Sequence, residues 1–140
     1  MQKINWGRLL LGGVLGGVLI TAKDFVLSHN ILLPIWKDLI AKGLVNAPQV
    51  WYRPIFLLEG LLEGLLLAWL YVLARPRLGP GPKTAIITGL TGGLLVRGVA
   101  TVDQLLWAPY PPVMPLYTLE VGVFTAVAVS MLAGWIYKEE

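Results

Sequence analysis

The chain has no cysteine, only one histidine, and charged residues at just 14% of its 140 positions. The absence of cysteine excludes disulfides, thiolate metal clusters and a thiol nucleophile. The lone histidine excludes a haem held by two histidines of the same chain. With 56% hydrophobic residues and a mean hydropathy of +0.72, the chain is far more apolar than a soluble domain. We therefore expect an integral membrane protein.

Several classes of site are also missing from the sequence. The net charge is only +3 and no basic stripe is present, so we predict no nucleic-acid partner. The segment 79–83 has neither the spacing nor the preceding strand of a phosphate loop, and Ser28 and Ser130 lie in no nucleophile elbow. His29 has Asp24 nearby but too few further ligands for a metal, so a surface histidine is the simpler interpretation. We predict no catalytic residue, no metal and no cofactor.

Four apolar stretches are long enough to cross a membrane as helices, at about 6–26, 55–74, 85–106 and 116–137. They leave little room for a soluble domain, so we predict an all-α protein in which residues 1–140 form a single transmembrane domain, a four-helix bundle. The first stretch resembles a signal peptide, but it lacks a small-x-small cleavage pattern. We therefore expect an uncleaved anchor.

The connection between the first two spans carries a further helical pattern. Apolar residues recur at helical spacing with charges on the other side, namely Ile35, Trp36, Leu39 and Ile40 against Lys37, Asp38 and Lys42. This pattern predicts a short interfacial helix that lies flat on the membrane. A helix that binds a soluble partner is the alternative.

The basic residues of the short connections predict the orientation. One side of the membrane would hold Lys3, Arg8, Arg75, Arg77, Lys83 and Lys138. The turn 108–112 on the other side holds none, so both termini should be cytoplasmic. Lys37, Lys42 and Arg53 in the first outer connection oppose this interpretation unless they lie at lipid headgroups. The central turn is rigid and should present Arg75, Arg77 and Lys83 to anionic headgroups.

Four charged residues lie inside the apolar stretches, where charge is costly: Glu59, Glu63, Arg97 and Glu120. The helical rise places them about 8–13 Å below the outer surface, so we predict that they share one layer. Glu59 and Glu63 are four residues apart and lie on one helix face, within reach of Arg97. Lys23, Asp24 and Asp103 would cap the layer at the outer interface.

Three carboxylates and one guanidinium leave this layer with excess negative charge. At least one carboxylate should be protonated, hydrated or matched by a bound cation. A proton or cation site, or a polar pocket for an amphipathic ligand, is one interpretation. The other is a structural bridge between Arg97 and Glu63, with Glu59 and Glu120 facing water or a partner subunit.

Small residues predict which helices approach closely. In the third span Gly89 and Gly93 recur every four residues and lead up to Arg97 and Thr101. The first span repeats this pattern with Gly13, Gly17, Thr21 and, one turn further, Asp24. Such grooves allow close helix contact in lipid, so the first and third helices should form the tight centre of the bundle. The second and fourth spans share the endings 68–71 and 133–137, which suggests two parallel helical hairpins. The alternative is the ordinary enrichment of aromatic residues at membrane interfaces.

The segment Arg75-Pro76-Arg77-Leu78-Gly79-Pro80-Gly81 resembles the central Arg-Pro-x-x-Gly-Pro-Gly turn of a bacterial family of small, uncharacterised four-span membrane proteins. The similarity extends to Trp69-Leu70-Tyr71 before the turn and to acidic residues late in the first span and in the last one, here Asp24 and Glu120. The resemblance implies a four-helix fold in the bacterial cytoplasmic membrane. It implies no activity.

We expect a non-enzymatic function, as an accessory or assembly subunit or as an apolar-ligand-binding protein. Its partners would be membrane lipids and either further copies of itself or a larger membrane complex. A subunit of a proton- or cation-coupled transporter that uses Glu59, Glu63, Arg97 and Glu120 is the alternative. An enzyme acting on lipids, with the same acids as bases, is a third hypothesis.

Overall fold

Four helices make up the protein, and their arrangement comes from a computed structural model that describes residues 4–138. They are α1 (Trp6–Ala41), α2 (Tyr52–Leu78), α3 (Pro82–Trp107) and α4 (Val113–Ile136). Each is long and apolar enough to cross a membrane, and no strand occurs in the described range. The predicted all-α architecture is confirmed, and the chain is a small multi-pass membrane protein. Lys3, used above to predict orientation, lies outside the described residues.

Helix α1 extends well beyond the predicted first span. A π-helical turn at Ser28–Leu32 joins Trp6–Leu27 to Leu33–Ala41 without a loop. The segment Leu33–Ala41 is the short helix predicted between the first two spans, here continuous with the first one. Its apolar side is partly covered by α4 and the turn before it, since the rings of Trp36 and Tyr110 meet edge to face at 5.4 Å.

The glycine grooves of α1 and α3 each receive the next helix in the chain. On α1, a Cβ at Gly17 would lie 2.7 Å from the Cα of Leu61 in α2. On α3, a Cβ at Gly89 would lie 2.5 Å from the Cα of Val127 in α4. The prediction that the first and third helices form the tight centre is therefore wrong. A groove in lipid accepts any complementary helix, and a short connection brings the next helix close.

The second and fourth helices occupy the middle of the bundle instead. They contact each other, while α1 and α3 lie on opposite sides and share no substantial backbone contact within the described residues. Helix α2 also contacts α3, and α4 also contacts α1. This pattern is that of two α-hairpins related by an approximate two-fold axis between α2 and α4.

The contacts of the two hairpins repeat residue by residue. Gly13, Gly17 and Thr21 meet Leu65, Leu61 and Gly60, whereas Gly89, Gly93 and Arg97 meet Val127, Val123 and Gly122. The helix ends show a similar contact, because Tyr71 accepts a hydrogen bond from the N–H of Gly81 before α3 and Tyr137 accepts one from the N–H of Asn5 before α1, at 3.2 and 3.3 Å. Tyr137 lies one helical turn later than the register of the other contacts would place it. The π turns, at different positions along α1 and α3, do not repeat. The matched contacts support the hypothesis of a parallel internal repeat.

Candidate functional site: ion pairs and a lateral groove

Arg97 contacts all three other helices. It lies in the π-helical turn Leu94–Gly98 of α3, a type of distortion that often marks functional positions. Its aliphatic stem packs on α4, where a Cβ at Gly122 would lie 2.8 Å from the Arg97 Cγ. Its guanidinium reaches Glu63 on α2 and Asp24 on α1. One side chain therefore connects α1 and α3, whose backbones stay apart.

The guanidinium binds Glu63 most closely. Nη2 donates to Oε2 at 2.5 Å and Nε donates to Oε1 at 3.3 Å, so two donors meet both carboxylate oxygens. Only 5% of the Glu63 side chain is exposed, against 18% for Arg97. Nη2 also donates to Oδ2 of Asp24 at 3.3 Å, while Glu59 Oε1 lies 3.8 Å from Nη1.

Lys23 completes the ion pairs by donating to Oδ1 of Asp24. Lys23 and Arg97 balance Asp24 and Glu63, so the poorly exposed part of the cluster carries no formal net charge. Glu59, with 59% of its side chain exposed, lies at the edge. The predicted excess of buried negative charge is therefore absent, because Glu59 and Glu120 are exposed. Lys23 and Asp24, predicted as cap residues, belong to the cluster and add one charge of each sign to it.

Glu120 does not contact Arg97, so the structure does not bring it into the predicted charge cluster; a Glu120 that faces water or a partner subunit was the alternative interpretation. It is exposed and has no ion pair among the described residues. The reason is helical phase, because Gly122 faces Arg97 and a residue two positions away points to the other side of α4. Asp103, the third predicted cap residue, is also exposed and lines a separate surface concavity of about 560 Å³ with Gly98 and Val102.

An apolar layer lies next to the ion pairs in the bundle interior. Ile20, Leu67, Ala126 and Val129 form a cluster in which no residue is more than 1% exposed. Ser130, which follows Val129 on α4, has a buried hydroxyl without a hydrogen-bond partner within residues 4–138.

No group of three acidic or histidine side chains within residues 4–138 is placed to hold a metal ion. His29 is exposed, and its ring stacks on that of Phe25 with centroids 5.9 Å apart. These positions give the histidine a surface packing role.

A large apolar groove between α1 and α2 is the feature that sequence reasoning missed. It has a volume of about 1040 Å³. Its apolar lining includes Val18 and Phe25 on α1 and Phe56 and Leu57 on α2, and Arg53 lies at the end nearest the start of α2. The sequence shows Arg53 directly before an apolar stretch, but the groove itself arises from how two helices pack.

The basic central turn is shorter than the sequence predicted. Helix α2 continues through Pro76 to Leu78, which leaves a turn in which Gly79 and Gly81 take positive φ values of 83° and 122°. The Arg75 guanidinium lies over the Tyr137 ring, 5.2 Å from its centroid, while Arg77 and Lys83 are exposed. Two of the three predicted headgroup-binding residues, Arg77 and Lys83, are thus exposed at this end of the bundle.

Comparison with known proteins adds no homologue, since no protein-family model, curated protein or solved structure matches the chain. Its function is therefore inferred from the geometry above.

Proposed function

We propose that this is a non-enzymatic membrane protein that binds an amphiphile with an acidic head and an apolar chain in the groove between α1 and α2. The single observation that carries the proposal is an apolar groove with a cationic residue, Arg53, at one end. The groove lies on the outside of the bundle, so a ligand enters it sideways from the lipid.

The size and lining of the groove suit an apolar chain. Its volume of about 1040 Å³ slightly exceeds the usual range for small-ligand sites, roughly 300–1,000 Å³, and leaves room for a long apolar chain. Exposed Val18, Phe25 and Leu57 leave the groove open toward lipid. The close contact of Gly17 with Leu61 forms its inner end.

Arg53 provides the charge complementarity for the head group. Its side chain is exposed and has no carboxylate partner within the described residues. Tyr52 lines the groove beside it, and its ring packs on Trp51 with centroids 4.1 Å apart. Aromatic residues at this level are typical of the membrane interface, where lipid head groups lie.

The same lining favours binding over catalysis. No aspartate, glutamate or histidine lines the groove, so it offers no general base to a lipid bound there. The ion pairs around Arg97 have a different role, which is to hold α1, α2 and α3 in place next to the groove. The apolar layer of Ile20, Leu67, Ala126 and Val129 gives no support to the alternative of a proton or cation path.

We further propose that the protein belongs to the bacterial inner membrane with both termini in the cytoplasm, as the family resemblance and the charges suggest. The basic residues at the end that holds the termini support this orientation; they are Arg8, Arg75, Arg77, Lys83 and Lys138.

Lipid binding in vesicles of defined composition tests the proposal. A fluorescent anionic phospholipid and a zwitterionic lipid with the same chains are compared in competition. We expect wild-type protein to prefer the anionic lipid, Arg53→Gln to remove that preference, and Ala22→Trp to weaken binding of both lipids by filling the groove.

Two variants provide the controls. Lys42→Gln removes a more distant exposed cation, and Ala100→Trp adds the same bulk at an exposed position of α3; both should bind like wild type. If Arg53→Gln and Lys42→Gln lost the preference for the anionic lipid equally, that preference would come from general surface charge and not from Arg53. Unchanged binding in Ala22→Trp would show that the groove is not the site.

A further inference from the structure

The outward face of α4 is an apolar stripe interrupted by one carboxylate. We call it the α4 stripe; its exposed residues are Val113, Leu116, Glu120, Phe124, Ala128, Met131 and Trp135. They recur every three or four residues and so lie along one line of the helix. Phe124 and Trp135 are 71% and 81% exposed, which leaves the stripe open along its length.

The internal repeat allows Glu120 to be compared with the equivalent exposed position of the other hairpin. Because Leu61 and Val123 make equivalent contacts, Leu58 on α2 corresponds to Glu120 on α4. Leu58 is 52% exposed and lies on a face with Leu62, Trp69 and Leu73 that carries no charge at this position. The equivalent site in the other hairpin is thus leucine, and the glutamate on α4 needs a separate explanation.

A lone carboxylate on this stripe is unfavourable in lipid. Glu120 lies seven residues after the start of α4, about 10 Å along the helix. Charged residues in transmembrane segments are costly unless they are paired or hydrated. Arg97, the cation that packs on α4, contacts the other side of this helix at Gly122 and is already paired with Glu63 and Asp24.

We propose that the α4 stripe binds a transmembrane helix of a different protein that carries a lysine or arginine at the depth of Glu120. The apolar residues of the stripe would pack against that helix, and the basic residue would pair with the carboxylate. The inference goes beyond lipid binding, since the α4 stripe shares no residue with the groove. It specifies the partner chemistry expected of an accessory subunit.

A second copy of this chain is a poorer partner. A two-fold axis normal to the membrane would place the two α4 stripes side by side and bring one Glu120 against the other. No residue of the α4 stripe is a cation that would offset that repulsion. A helix of a different protein that carries a cation at this depth avoids the repulsion between two Glu120 carboxylates.

Designed transmembrane peptides test the inference without knowledge of the natural partner. Three peptides of about 22 leucine and alanine residues would carry lysine, leucine or glutamate about 10 Å from the outer end. The chain lacks cysteine, so Lys138→Cys gives a single dye site for energy transfer in vesicles. We expect the lysine peptide to bind about three- to tenfold more tightly than the leucine peptide.

Charge exchange makes the test specific. Glu120→Leu, which copies Leu58, should abolish the preference for the lysine peptide, and Glu120→Lys should transfer it to the glutamate peptide. Asp103→Asn, which removes another exposed carboxylate, should bind like wild type. If Glu120→Leu fails to fold, binding of the glutamate peptide to Glu120→Lys decides the test.

Two results would overturn the inference. One is equal binding of the three peptides to the wild-type protein. The other is self-association of the wild-type protein that Glu120→Leu abolishes, which would make a second copy the occupant. Loss of lipid preference in Arg53→Gln is measured separately, so this inference and the proposed function can fail independently.

Discussion

Arg97 is the residue on which the bundle interior depends most. Its guanidinium meets both carboxylate oxygens of Glu63, and it supplies the contact between α1 and α3 through Asp24. A buried ion pair adds little net stability compared with apolar residues, but removal of one partner leaves a buried charge without compensation. The effect of a substitution on stability therefore depends on whether it leaves a buried charge without a partner.

Arg97→Leu should destabilise the protein by about 3–5 kcal/mol, because Glu63 then remains buried and unpaired. The double variant Arg97→Leu/Glu63→Leu should recover most of this loss, since it buries no lone charge. Reversible unfolding in mixed detergent micelles measures the free energy for each variant.

Lys42→Ala is the matched control for these substitutions. It breaks the Lys42–Asp38 ion pair, which is 2.7 Å long but largely exposed, and should cost about 1 kcal/mol or less. If the double variant were as unstable as Arg97→Leu, the ion pair would have a role that apolar packing cannot replace.

Glycine residues allow close helix contact both between α1 and α2 and between α3 and α4, the two hairpins of the internal repeat. A Cβ at Gly64 of α2 would overlap the backbone nitrogen of Gly17 and the backbone oxygen of Gly13. These atoms belong to the backbone of α1 and cannot move aside without separating the helices. The α1–α2 contact is therefore the element-scale feature most sensitive to one added methyl group.

Gly64→Ala should lower the free energy of unfolding by about 1–3 kcal/mol through this overlap. Gly98→Ala is the control, because nothing lies within 4 Å of the added Cβ. It should leave stability unchanged or raise it by up to about 1 kcal/mol, as alanine favours helix over glycine. Similar losses in both variants would indicate an effect of helix conformation rather than of helix contact.

The whole molecule combines two similar hairpins with unlike charges. Arg97 occupies in the second hairpin the position that Thr21 occupies in the first, and Glu120 that of Leu58. Arg97 joins the two hairpins in the interior through its ion pairs with Glu63 and Asp24, and Glu120 places a charge on the outer surface. Basic residues gather at the end that holds the termini, which sets the expected orientation.

Cysteine labelling tests that orientation in intact bacterial spheroplasts. A membrane-impermeant maleimide should label Pro109→Cys, in the turn before α4, without permeabilisation. It should label Lys138→Cys only after the membrane is opened. The opposite pattern would place both termini outside the cell and reject the assignment.

The sequence alone determined the class of protein and its helices. Lipid requires apolar side chains and satisfied backbone groups, so long apolar stretches predict spanning helices directly. It also indicated the pairing of Glu63 with Arg97, because rise per residue fixes depth along each helix.

Only the tertiary structure decided how each helix is rotated and which helix it contacts. In lipid both faces of a helix are apolar, so hydrophobicity does not fix the buried face and side-chain packing does. That is why Asp24 rather than Glu120 reaches Arg97, and why the first glycine groove receives α2 rather than α3. The groove beside Arg53 has the same origin, since its shape depends on two helices that the sequence could not orient.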